Sequence, residues 1–354
     1  MAFQGAIEMF QTEPIIYLQS LGNEWFTFLM ILITMMGSSS FLIAITIITT
    51  FGVDFKKGFI LYQLLLWTGL VTVILKVLIA FPRPDFVDNR VLNLESGIKN
   101  TSLFNGNGPE GIFKLPDKEV LKAFRLQEAF TSSPFGFPSG HVALTTALWG
   151  GSAIIFKSRV IKRLTPLVIV IMAFSRMYLG RHFLGDVLGG ATIGLIFLII
   201  FDHFLKSPLK DDFFKKENFE LTLRHRNLLF YSVMFVIPIV FTALSLVSSD
   251  IAGLFLGTNI AYFLIIREGI PNDSGSVTQR ILRVFIALLL FGASSLILDA
   301  MFITSGTINY LHFTLIEFLK AFISGFTIWI SIAICTKLDL YRRDKEFVSS
   351  RDAE

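Results

Sequence analysis

The 354-residue chain carries 31 Lys+Arg against 27 Asp+Glu, a formal net charge of +4, and is 16% charged and 53% hydrophobic. A soluble domain has about 25% charged residues, so too few ionisable groups are present to cover a water-exposed surface of this size, and a soluble multidomain enzyme is excluded. With 11 Pro, 26 Gly and one Cys, the disordered, collagen-like and disulfide-scaffold classes are excluded as well.

A bilayer core about 30 Å thick takes roughly 20 apolar residues at about 1.5 Å each. The first 24 residues hold no Lys or Arg, unlike a cleaved signal peptide with its basic n-region. Within segment 1–25, Ile7–Leu21 is predicted to be a short amphipathic helix lying at the interface. Apolar runs then predict nine spans, at 26–50, 58–81, 141–156, 164–180, 185–205, 227–248, 251–266, 284–303 and 313–336. The expected fold class is all-α, a polytopic transmembrane helical bundle.

The cations orient it. Segments 51–57, 157–163, 206–226, 267–283 and 337–354 alternate along the series and hold 20 of the 31 Lys+Arg, while the N-terminal segment and the loops 249–250 and 304–312 hold none. The positive-inside rule places the N-terminus outside and the C-terminus in the cytoplasm. Connection 85–137 has six cations and seven acids, and is expected to be an external insertion with short elements of its own. The chain is therefore expected to divide into a five-span core at 26–205, a cytoplasmic linker at 206–226, four additional spans at 227–336 and a cytoplasmic tail at 337–354. Placed this way, the basic balance gives no reason to expect nucleic acid as a partner. The lone Cys335 allows no intramolecular disulfide.

Three stretches put expensive polar groups at one membrane level. Lys76-x6-Arg83-Pro84 closes the second span; seven residues is nearly two helical turns, and Pro82 is expected to end the helix before Arg83. Alone, this reads as snorkelling cations at a helix end. Pro138-Ser139-Gly140-His141 precedes the third span, where Ser139 suits an N-cap, Gly140 permits close backbone approach and free N–H groups cradle phosphate. Ser175-Arg176-x5-His182-x3-Asp186 joins the fourth and fifth spans. His182 and Asp186, four apart, share a helical face, so the carboxylate can accept Nδ1–H and leave Nε2 as a nucleophile. By the charge-derived topology all three fall on the outer side, where two histidines, an aspartate and three cations are functional by default. Three cations suit a phosphoryl group, one His attacks it and the other protonates the leaving oxygen. No metal-ligand spacing is present, so no metal or cofactor is expected.

At these residues the sequence resembles the type 2 phosphatidic acid phosphatase superfamily of integral-membrane lipid phosphate phosphatases, over roughly residues 58–200. The resemblance implies a helical bundle with an outward-facing site. It implies a phosphohistidine at His182, oriented by Asp186, with His141 as general acid. Lys76, Arg83, Ser139, Gly140 and Arg176 would hold the phosphate, and water would hydrolyse the intermediate. The expected activity is hydrolysis of a lipid phosphate monoester or diphosphate without a metal. The expected partners are the lipid substrate and the bilayer, in a bacterial inner membrane with a periplasmic site or an endoplasmic reticulum membrane with a lumenal one. Alternatives are transfer of the phosphoryl group to a lipid or sugar hydroxyl, a soluble sugar phosphate substrate as in glucose-6-phosphatase, and a transporter or channel lined by the polar cluster. Neither the lipid nor the oligomeric state is legible.

Other residues are read as structural. Gly185, Gly189, Gly190 and Gly194 have small-xxx-small spacing for close helix packing. Asp299, Glu317 and Lys320 are expected to form an ion pair between the last two spans. Tyr178 and Phe183 are read as interface aromatics. Arg181, beside His182, could touch phosphate but is not a signature position, and His225 and His312 receive no role. Asn100-Thr101-Ser102 is a glycosylation sequon.

Overall fold

A computed structural model describes residues 10–97, 135–205, 214, 231–244, 246–303 and 310–341. Most of the 85–137 insertion with its sequon, nearly all of the 206–226 linker, His225 and residues 342–354 of the tail lie outside the described residues, as does the side chain of His312. The described residues are helical, without a strand longer than an isolated antiparallel bridge between Pro82 and Phe135. Their chain order is α1 Glu13–Ser20, α2 Glu24–Met35, α3 Ser39–Ile48 with a π-helical turn Thr49–Val53, α4 Phe55–Ile79 and the single turn α5 Pro84–Val87. After the insertion come α6 Gly140–Ile155, α7 Arg159–Tyr178, α8 Leu184–Leu205, a π-helical turn Ser232–Val236 running into α9 Ile237–Ala243, α10 Ser249–Glu268, α11 Val277–Ile303 and α12 Tyr310–Lys337.

Among the described residues, five helices are long and apolar enough to cross a bilayer: α4, α8, α10, α11 and α12. A sixth crossing results if α2 and the 39–53 helix, bent by 53° at Met36–Ser38, count as one broken span. Of the remaining apolar runs, α6 is 16 residues long and Ser232–Ala243 is shorter still. Any 18-residue stretch of α7 includes Lys162, Arg163 and Arg176, which interrupt its apolar character.

The chain forms two compact units, residues 1–42 with 64–202 and residues 43–63 with 203–354. In the first, α6 and α7 are neighbours, and α8 closes on α6 because Gly190 and Gly194 admit backbone: a Cβ on either would strike Ser139 O, Ala143 O or Thr146. Gly189 makes room for the Phe137 ring and Gly185 for Phe10. Ile15 of α1 is buried with Phe81, Val87, Val91 and Phe183. Tyr178 and Phe183 are core side chains rather than interface aromatics: both are almost wholly buried, and the Tyr178 hydroxyl pairs with Thr27 Oγ1 at 2.7 Å. A Tyr hydroxyl given a buried partner need not seek the headgroups.

In the second unit α10 lies against α12, with Gly253 and Gly257 facing the Phe318 and Phe322 backbone. Buried polar groups pair within it: Gln63 Nε2 donates to Asn259 Oδ1 (2.8 Å), and the Thr50 and Tyr262 hydroxyls meet at 2.9 Å. Lys320 reaches Asp299 at 2.6 Å and Glu317 at 2.9 Å, the ion pair expected between the last two spans. Arg283 donates to Leu340 O and to Ser274 O (2.6 Å) and stacks over Tyr341, joining the end of α12 to the 269–276 loop.

Candidate active site

The residues of the three motifs all belong to the first unit and converge where four helix ends meet. Helix α4 stops at Ile79, followed by Ala80 in the left-handed region (φ 53°), whose N–H closes on Lys76 O. Arg83 is extended and precedes α5, as the following Pro84 requires. The chain returning from the insertion runs antiparallel past this corner, Gly136 N–H donating to Phe81 O at 2.7 Å. The Phe135 carbonyl therefore faces both cations: Lys76 Nζ donates to it at 3.1 Å and to Gly136 O at 3.2 Å, and Arg83 Nε donates to it at 3.2 Å.

Ser139 occupies the N-cap position of α6 in extended conformation, but its hydroxyl does not cap the helix. The backbone N–H of Ser139 donates instead to Asp186 O (2.9 Å), and its Oγ is buried without a hydrogen-bond partner among the described residues. A buried hydroxyl left in this state is costly unless a ligand engages it. Gly140 opens α6 and leaves the helix start clear, and His141 follows in the first turn. The His141 ring stands against Gly37 in the α2–α3 break: a Cβ on Gly37 would lie 2.8 Å from His141 Cδ2. The break thus brings bare backbone to the imidazole edge.

Helix α7 ends with Arg176 in its last turn and Gly180 left-handed (φ 75°), a conformation that glycine adopts without penalty and that turns the chain towards Arg181 and His182. Asp186 is the third residue of α8 and reaches back to the N–H of Phe183 (2.9 Å), half of a capping box. The same Oδ2 lies 3.3 Å from His182 Nδ1, at the long end of the hydrogen-bonding range. A carboxylate only accepts, so Nδ1 carries the proton and Nε2 the lone pair. Burial, and then the cations Lys76, Arg176 and Arg83, hold His182 well below its ordinary pKa, so the ring is neutral at pH 7. Burial, and then Arg181 and Arg176, push Arg83 down to about 9; it stays charged at pH 7 in a site that favours an anion.

Sequence reasoning missed the acids that face these cations. Arg181 is buried; its Nη1 donates to buried Asp85 (2.8 Å) and its Nε lies 3.2 Å from Glu95. Arg176 Nη1 donates to Thr34 Oγ1 (2.6 Å) and Glu95 Oε1 (2.9 Å), and its Nη2 donates to Glu95 Oε2 (3.3 Å). Burial alone would raise the Glu95 carboxyl, but Arg176, Arg181 and Arg83 outweigh it and hold the group below the usual range. Asp85 and Glu95 sit in an insertion without a periodic pattern, and no local signal marks them. The position of Arg181 beside His182 was the available clue. Gly136 was also missed: a Cβ there would lie 2.6 Å from Asp186 Oδ2.

A neutral imidazole fixed by a carboxylate, a second imidazole and a ring of buried cations can perform nucleophilic displacement on a phosphoryl group. Residues 57–207, which include every residue that the motifs single out, match the family model of the PAP2 superfamily. No curated protein and no solved structure matches the chain.

Proposed function

Because residues 57–207 of this chain belong to the PAP2 superfamily, we propose that it is an integral-membrane phosphatase that hydrolyses a lipid phosphate monoester or diphosphate through a phosphohistidine. The observation that carries the reading is the His182–Asp186 contact inside the cation cluster. Lys76, Arg83 and Arg176, with the Ser139 hydroxyl and the α6 amides at Gly140, bind the phosphoryl oxygens. His182 Nε2 attacks phosphorus while Asp186 keeps the proton on Nδ1 and stabilises the charge that develops on the ring. His141 protonates the leaving oxygen, and then takes a proton from the water that attacks phosphorus, so that the P–O bond forms as the N–P bond breaks and His182 is freed. The cations supply the charge neutralisation that other phosphatases draw from metal ions, so no metal is required.

The proposed topology has nine spans, with the N-terminus and the site on the outer face and the C-terminus in the cytoplasm. The ends of α4 and α7 and the starts of α6 and α8 gather at the site, while the opposite ends of α6 and α7 carry Lys157, Arg159, Lys162 and Arg163. The test uses full-length protein purified in detergent, a panel of lipid phosphates and the H182A variant as blank. Phosphate release that persists in EDTA, is blocked by orthovanadate and vanishes in H182A is expected. Activity lost in EDTA, or retained by H182A, overturns the mechanism.

A further inference from the structure

A guanidinium offers two edges for bidentate recognition: the Nη1–Nη2 end and the Nε–Nη2 side. In Arg176 the end edge is taken. Glu95 accepts from both terminal nitrogens, and Thr34 Oγ1 accepts the other proton of Nη1. The side edge is different: Nε is buried and has no hydrogen-bond partner among the described residues. Buried guanidinium N–H groups are normally paired, so this one is held for a ligand.

Glu95 is itself anchored. Its Oε2, which faces Arg176 Nη2, also lies 3.2 Å from Arg181 Nε, and Arg181 is tied through Nη1 to buried Asp85. The segment that carries Glu95 is tethered too: the Gln19 carboxamide of α1 donates to Leu92 O (2.7 Å) and accepts from Leu92 N–H (3.0 Å). Leu94 N–H donates to Leu179 O at 3.2 Å. The Glu95 side chain retains 32% exposure, whereas those of Arg176 and Arg181 retain 2% and 5%. The carboxylate therefore closes the solvent side of both arginines.

We propose that Glu95 is a positioning residue that, with Thr34, immobilises the Nη1–Nη2 end of Arg176 so that its Nε–Nη2 edge is presented to two phosphoryl oxygens. This rests on the phosphatase reading for the identity of the oxygens, but the contact geometry is independent of any chemical step. The opposite role, a carboxylate that competes with phosphate for Arg176, would leave substrate to displace Glu95 from the end edge and would give the vacant side edge no purpose.

The experiment measures orthovanadate affinity by calorimetry on full-length protein in detergent, alongside kcat and KM with dioctanoyl phosphatidate. E95A is expected to weaken vanadate binding and raise KM by about tenfold or more, with kcat falling less, as for loss of orientation in one binding group. E95Q, which keeps one acceptor oxygen, is expected to fall between E95A and wild type. Thermal unfolding separates this from misfolding, and if E95A does not fold, E95Q against wild type decides. Unchanged affinity in the variants overturns the inference, and tighter binding replaces it with the competing-anion role. Wild-type protein that binds vanadate yet releases no phosphate overturns the hydrolase reading, while the variants still decide the role of Glu95. Wild-type protein that does not bind vanadate overturns both.

Discussion

Asp186 is asked to do three things with few atoms. Its Oδ2 accepts from Phe183 N–H and faces His182 Nδ1, and its carbonyl accepts from Ser139 N–H. The start of α8, the His182 ring and the Ser139 backbone are thereby tied to one residue. Asp186→Asn keeps the shape but presents an amide that can donate to the ring, favouring the wrong tautomer. We expect kcat to fall by about 10²–10⁴-fold with little change in unfolding temperature. A kcat within about threefold of wild type would remove Asp186 from the mechanism. The second histidine is positioned by space instead of charge. Gly37→Ala puts a methyl 2.8 Å from His141 Cδ2 and 3.1 Å from Met172 Cε, so the imidazole must shift. The expected loss in kcat is about tenfold or more, read with helical content by circular dichroism held constant. The motif residues were legible in the sequence because each sits at a helix end marked by Pro, Gly or a cap-forming side chain. Thr34, Asp85 and Glu95 were not, because they reach the arginines from chain segments 81 to 142 residues away in the case of Arg176, and 86 to 96 in that of Arg181.

At the scale of elements, helix ends hold the motif residues and small residues set how closely the helices approach. The Gly190–Ser139 contact lets the start of α6 lie on α8, and larger residues there would part the two helices. The loop between α10 and α11 shows a different balance. Asp273 accepts from Phe55 N–H at 3.0 Å, and burial, more than neighbouring Asp54, pushes its pKa up to about 6 against the favourable Phe55 hydrogen bond and Arg283. A carboxyl raised above its unfolded value of 3.8 binds more protons folded than unfolded between those pH values. Stability of this loop should therefore rise as pH falls from 7 towards 4, by up to about 1.4 kcal/mol per pH unit. Asp273→Asn keeps an acceptor for Phe55 N–H and should abolish that dependence. Hydrogen exchange over residues 269–276 at pH 5, 6 and 7 reads both outcomes, and identical slopes in the two proteins would refute the assignment.

For the whole molecule, the proposed orientation can be checked with one native thiol out of the way, because Cys335 is buried. Ser96→Cys lies on the exposed segment beside Glu95, and Val160→Cys is exposed at the start of α7. A membrane-impermeant maleimide on intact cells should label the first, and should label the second only after permeabilisation. The reverse pattern would invert the topology.

The sequence by itself determined the all-α class, the membrane-compatible apolar runs and the identity of the motif residues, because hydropathy, helical period and cap chemistry act within a few residues. Tertiary structure decided how many runs became long unbroken helices, as at the 36–38 break, where one apolar run is bent by 53°. It also decided which acid faces which base. Local patterning states that a charge in an apolar setting needs a counter-charge, but only the folded chain brings Glu95 to Arg176 and Asp85 to Arg181. Electrostatic pairing acts through space, and residues far apart along the chain leave no periodic signature of the partner they will meet.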